Sequence, residues 1–155
     1  MARIFITGSS TGLGLMAGQL LIEQGHQVVL HGRNRTRAER AMADAPGAQA
    51  YAESKLHDVI LAFAVANRWP AGHANALEPG WVATRMGGAG ATDDLSKGHL
   101  TQSWLAVSNE ALARSSGEDF YHQALRGPNP IARDQTAQHR LIEACARLTS
   151  VPLPN

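Results

Sequence analysis

The sequence predicts an α/β domain built on a largely parallel sheet, and three observations carry that expectation. A short apolar run, "ARIFITG", ends at a glycine. A helical pattern and a second apolar run follow within about 30 residues, the span of a strand-helix-strand unit. Beyond them, strand-like and helical segments keep alternating to the C-terminus, which is the pattern of a parallel sheet with helices on its faces.

Taken in order, Ile4, Phe5 and Ile6 form a run too short for a signal-peptide core, and it reads as a buried strand. "LGLMAGQLLIEQG" repeats its apolar residues at helical spacing, Leu13, Met16, Ala17, Leu20 and Leu21, with Gly25 at the position of a C-cap. "HQVVLHGR" is the second strand. "TRAERAMADA" reads as a short polar helix stopped by Pro46 and Gly47. The segment from Tyr51 to Arg68 is the strongest helix, apolar nearly all round, and so expected to be deeply buried or shared with a second subunit. "HANALEPG" is a strand closed by a turn, "VATRMGGAGATDD" a glycine-rich loop, "LSKGHLTQSWLAVS" a single helix, "EDFYHQ" a short strand and "ARDQTAQHRLIEACARL" a last helix.

With 155 residues the chain is the size of one domain, so a single unit over 1–155 is expected. Fourteen Lys and Arg against thirteen Asp and Glu provide no general attraction to nucleic acid or to an anionic membrane. Cys145 is the only cysteine, which excludes an internal disulfide and suits a reducing, cytoplasmic setting. No stretch approaches the ~20 apolar residues that span a bilayer. The seven histidines have no ligand spacing, so no metal site is expected. Trp69, Trp81 and Trp104 read as packing residues, with Trp81 placed to line a pocket from the loop it begins.

The turn "TGSSTGLG" carries the first chemistry. Gly8, Gly12 and Gly14 permit a tight turn and a close approach of backbone to ligand, and the N–H groups opening the next helix attract a phosphate. Three residues separate the first two glycines, instead of the single residue of the GxGxxG fingerprint. After the second strand, NAD would call for an acidic side chain at the ribose hydroxyl. The sequence has "HGRNR" there, so Arg33, with Arg35 behind it, favours the 2′-phosphate of NADP over NAD. Further on, "YAESK" sets Tyr51 and Lys55 four apart on one helical face. An ammonium near a phenol stabilises the phenolate and draws down a pKa that is otherwise about 10.

"TGSSTGLG", "YAESK" and "PGWVATRM", in this order and on these elements, resemble the short-chain dehydrogenase/reductase family over essentially the whole chain. The resemblance implies a Rossmann-like, doubly wound fold and an oxidoreductase acting on a small carbonyl or alcohol. It places the cofactor pyrophosphate on Gly8, Ser9, Ser10, Thr11, Gly12, Leu13 and Gly14. It makes Tyr51 the proton donor, and Lys55 both its modulator and a ligand of the nicotinamide ribose. It assigns Pro79, Gly80, Val82 and Thr84 to the nicotinamide end.

The chain departs from the family between Gly8 and Tyr51. A complete member holds three further strands there, so roughly 100 residues are absent at about 30 per unit. The acidic residue after a third strand, the NNAG-like segment and the serine a dozen residues before the tyrosine are all missing. Counting back from Tyr51 reaches Arg37, Ala38 and Glu39. The fold is therefore expected to be a truncated one with a seam near 46–50. Five residues reach about 17 Å at most, short of the distance between helices on opposite faces of a sheet at roughly 10 Å per layer. A rearranged sheet, a swapped dimer or a poorly ordered junction would each resolve this. Three functional readings follow: an NADP-dependent reductase; an impaired nucleotide-binding remnant, with the helix starting at Tyr51 as the candidate dimer contact; or a deletion product of a longer parent with no activity of its own.

Overall fold

The computed structural model describes residues 1–8, 12–31, 47–85 and 87–154, with backbone alone for residues 30, 31 and 47–52. The expected helix over "TRAERAMADA" lies outside these residues. The chain divides into two compact units. One comprises Met1–Asp44, Leu77–Ala113 and Tyr121–Ala124, the other Ala45–Ala76, Arg114–Phe120 and Leu125–Asn155.

In the first unit the strand-helix-strand reading is realised. Strand β1 (Arg3–Thr7) pairs in parallel with β2 (Gln27–His31), Phe5 opposite Val29, and helix α1 (Gly12–Glu23) connects them. Helix α1 buries Ala17, Gly18 and Leu21, residues one turn apart on one side. It stops at Gly25, whose φ of 82° is a left-handed conformation cheap only for glycine. There the Gly25 N–H donates to Ile22 O at 2.9 Å and the His26 N–H to Leu21 O at 3.0 Å, satisfying the last carbonyls. His26 Nδ1 then accepts from the Ala2 N–H at 3.1 Å, so the turn also anchors the start of β1. The faces of the strand pair are incompletely covered: Phe5 is 63% and Val29 50% exposed.

Strands β3 (Ala76–Glu78), β4 (Asp119–Tyr121) and β5 (Ala124–Arg126) form a second sheet in the order β3-β4-β5. Strand β5 was not expected. It exists because His122 and Gln123 both take left-handed φ, 48° and 64°, the geometry of a two-residue hairpin turn, without the Asn or Gly that would announce it. The Gln123 N–H donates to Thr101 Oγ1 at 3.2 Å, a buried acceptor that holds the turn.

The single helix expected over 95–108 is two elements, a 3-10 turn at Leu95–Lys97 and helix α3 at Leu100–Val107. Asp94 tightens the first turn by accepting from Ser96 N at 2.9 Å and Ser96 Oγ at 2.7 Å. These hydrogen bonds hold the Asp94 carboxyl below its ordinary value, those from the Ser96 side chain first.

The second unit is organised by helix α2 (Gly47–Arg68), which begins four residues before Tyr51, and helix α4 (Gln135–Thr149). Ile60, Phe63 and Ala132 form the core, with Leu56, Val59 and Leu141 partly buried against them. Burying a side chain such as Phe63 stabilises the unit by about 1.5–3 kcal/mol. The helix is one-sided, since His57, Asp58 and Leu61 are exposed. A polar link crosses its packed face. Gln138, 5% exposed, accepts from Asn67 Nδ2 and donates to Ala132 O, both at 2.8 Å, so a buried amide is satisfied at both ends. Asp134 caps α4 by accepting from Thr136 N at 2.8 Å. The Arg133 guanidinium stacks 5.1 Å from the Phe63 ring centroid and pairs with Glu118 at 2.9 Å.

Together these elements are an α/β, truncated Rossmann-like fold, a parallel pair and a mixed sheet flanked by helices. Among the described residues no helix is long and apolar enough to cross a membrane.

Asp119 makes the fold pH-sensitive. It is buried, Oδ2 lies 3.3 Å from Arg126 Nε without hydrogen-bond alignment, and burial raises its carboxyl above the ordinary 3.8 while the Phe120 N–H lowers it by less. Above 3.8 the native state therefore holds a proton that the unfolded chain has released, and stability falls as pH rises toward the native pKa. Asp119→Asn is expected to remove that decline, checked by urea unfolding at a series of pH values from 4 upward.

Candidate active site

The site begins where β1 ends. Gly8 and Gly12 have φ of 66° and 61°, left-handed conformations that favour glycine at both ends of the loop, and among the described residues no atom lies within 4 Å of where a Cβ would stand at either. Helix α1 opens at Gly12 without an acidic residue in its first turn, leaving its leading N–H groups and positive dipole end suited to an anion. Ser9, Ser10 and Thr11 lie outside the described residues, as do Arg33 and Arg35. Gly14 lies within the first turn, and Leu13 beside it is half-buried.

The second part follows β3. Gly80 takes φ of 87°, and a Cβ there would stand 2.8 Å from an oxygen of Asp93. That carboxylate accepts from the Trp81 N–H, while the Asp93 N–H returns a bond to Trp81 O at 2.9 Å. Val82, 4% exposed, bridges Asp93 in parallel. Thr84 Oγ1 accepts from Gly87 N at 3.1 Å, and Trp81 Nε1 donates to Gly87 O at 2.9 Å. The glycine-rich segment is therefore a closed loop with Asp93 as its clasp. Sequence reasoning passed over Asp93; its only signal is the acidic pair Asp93-Asp94 ending the glycine run.

Gly98 joins the two parts. A Cβ at this buried position would meet Leu13 Cδ2 at 2.9 Å and the Val82 methyls at 3.2 and 3.3 Å. Leu13 of α1 and Val82 of the Pro-Gly segment thus both border the space beside Gly98. The next turn carries two buried atoms, His99 Nδ1 and Gln102 Oε1, without a hydrogen-bond partner among the described residues, although Gln102 Nε2 donates to Gly98 O at 2.8 Å.

Tyr51 and Lys55 lie one turn apart on α2, in the other unit from the glycine loop and the Pro-Gly segment. The Tyr51 side chain is outside the described residues. Lys55 Nζ lies 2.7 Å from Asp58 Oδ2, both side chains being exposed. Exposed pairs of this spacing are worth about 0.3–0.5 kcal/mol, small enough for a bound ligand to displace. Among the described residues no group of three His, Cys, Asp or Glu side chains could hold a metal ion.

The described residues fit a dinucleotide at its pyrophosphate: left-handed glycines stand at both ends of the loop, and the first turn of α1 carries no acidic residue. Gly98→Ala is expected to push Leu13 and Val82 apart and to destabilise the chain by about 1–3 kcal/mol, measured by denaturant unfolding. An unchanged midpoint would show that the packing around Gly98 does not join the two parts.

No family model matches the chain, and no solved structure does. Among curated proteins it is 26% identical to an uncharacterized oxidoreductase of Emericella nidulans over 253 positions, covering 99% of each chain. With 155 residues here, roughly 100 of those positions have no counterpart, and end-to-end coverage makes them internal. It is 33% identical to the short-chain dehydrogenase chyC of Penicillium rubens over 118 residues, which are 76% of this chain and 45% of that one. It is 54% identical to the short-chain dehydrogenase chry4 of Gibberella zeae over 48 residues, 31% of this chain and 18% of that one. The chain thus spans under half the length of these last two relatives.

Proposed function

Because the chain belongs to the short-chain dehydrogenase/reductase family in a truncated form, we propose that it is a nicotinamide-dependent oxidoreductase interconverting a small carbonyl compound and its alcohol. The observation that carries this reading is the pair of left-handed glycines, Gly8 and Gly12, at the mouth of α1. In this reading the loop Gly8–Gly14, with Ser9, Ser10, Thr11 and Leu13, holds the pyrophosphate through backbone N–H groups. Arg33 pairs with a 2′-phosphate, which makes NADP the favoured cofactor over NAD. Pro79, Gly80, Val82 and Thr84 border the nicotinamide end. When bound, the cofactor supplies or accepts the hydride. Tyr51 gives its phenolic proton to the substrate oxygen in reduction and recovers it in oxidation. Lys55 leaves Asp58 for the ribose hydroxyls and favours the phenolate. The chain acts as one truncated domain with its seam near 46–50, in the reducing cytoplasm that its lone free cysteine suits.

A second reading is favoured by the roughly 100 unmatched internal positions. The serine and asparagine partners of Tyr51 fall among the family features this chain does not carry, and a group that polarises the carbonyl is worth several kcal/mol in the transition state. The chain would then be a nucleotide-binding remnant, dimerising through α2, that no longer turns over substrate.

Two measurements separate these readings. Nicotinamide fluorescence on titration with NADPH is expected to rise saturably, and Gly12→Val to abolish the rise; unchanged fluorescence up to millimolar cofactor would exclude both. If NADPH binds, Tyr51→Phe is expected to lower ketone and aldehyde reduction at least about 100-fold. Binding without turnover by the parent chain would select the remnant.

A further inference from the structure

Away from the glycine loop, the second unit has a cleft of about 620 Å³ between α2 and α4, a volume that suits a small molecule. Its floor is the open edge of the unit's own core, formed by Leu56 and Ile60 of α2, Ile131, and Leu141 and Ala144 of α4. His57, Arg140 and Arg147 stand on its rim. Arg140 and Arg147 are exposed and make no ion pair among the described residues. Glu143, the one acidic lining residue, is 3.2 Å from His139.

An apolar floor beneath unneutralised guanidinium groups selects for a ligand with the complementary division. We infer that this cleft binds a small amphiphilic monoanion, a carboxylate head on an apolar tail. The tail displaces water from Leu56, Ile60 and Leu141, each buried CH₂ contributing about 0.8 kcal/mol. The head is met by a guanidinium, whose planar fork matches a carboxylate. A neutral amphiphile leaves that fork unused, and a short anion leaves the floor wet. A second copy of the chain suits the cleft less well, because a two-fold contact through it would set arginines among arginines.

The test is calorimetric titration of the full chain with decanoate below its micelle concentration, alongside decanol and acetate. Saturable 1:1 binding of decanoate is expected, with decanol and acetate each at least about tenfold weaker. Replacing both rim arginines, Arg140→Gln with Arg147→Gln, is expected to weaken decanoate by a similar factor, with the circular dichroism spectrum unchanged because both side chains are exposed. Three results would overturn the inference: no saturable decanoate binding, decanol binding as tightly as decanoate, or the double variant binding like the parent. Sedimentation in the same buffer tests the competing occupant. A dimer that decanoate does not dissociate, and that leaves no decanoate site, would assign the cleft to a second copy.

Discussion

A parallel pair of strands is a buried structure: apolar on both faces, it depends on helices or further strands to cover it. Among the described residues β1 and β2 form that pair as a two-stranded sheet and α1 covers only part of it, with Phe5 63% and Val29 50% exposed. The proposed cofactor site depends on this arrangement. Gly8 stands at the end of β1 and Gly12 at the start of α1, so their conformation lasts only while these elements stay folded. Short strands with little cover open at a low free-energy cost. The packing of Leu13 and Val82 around Gly98 therefore matters beyond its size, since it brings the start of α1 and the Pro-Gly segment to one place within that unit.

The two sheets agree with what truncation would leave. In the strand order 3-2-1-4-5-6-7 of the family the chain resembles, the second strand lies beside the first and the sixth beside the seventh, with the missing fourth and fifth between the two pairs and the missing third at the outer edge. The structure has β1 paired with β2 in one sheet, and β3 paired with β4 in another. Among the described residues the strands divide into two sheets, and the seam itself falls partly outside those residues.

Much of this was legible from local pattern. The apolar run ending at Gly8, the helical spacing from Leu13 to Leu21 and the stop at Gly25 each state a backbone requirement that the structure meets. The helix from Tyr51 to Arg68 was visible for the same reason, and its four extra residues lie where glycine and alanine carry little signal. What was hidden depends on contacts far apart in sequence. Gly98 interrupts a helical pattern because Leu13 occupies the space a side chain would need, and Leu13 is 85 residues earlier. His122 and Gln123 turn left-handed where a buried Thr101 hydroxyl accepts the Gln123 N–H, a stabilisation that neither residue type advertises. Asp93 became the clasp of the Pro-Gly segment through a bond to Trp81 across a loop whose sequence reads only as flexible. The Lys55 and Asp58 pair was within reach at a spacing of three, but an exposed pair on a helix ordinarily means solubility alone.

The proposed function requires that β1 and α1 stay folded in the free chain and bind a dinucleotide. Amide hydrogen exchange resolved over Arg3–Thr7 and Gly12–Glu23, with and without NADPH, tests it most directly. The account expects measurable protection in the free chain at Ala17, Gly18 and Leu21, and a further slowing across both segments when NADPH is added. Exchange at unstructured rates in the free chain, or protection that NADPH leaves unchanged, would contradict it.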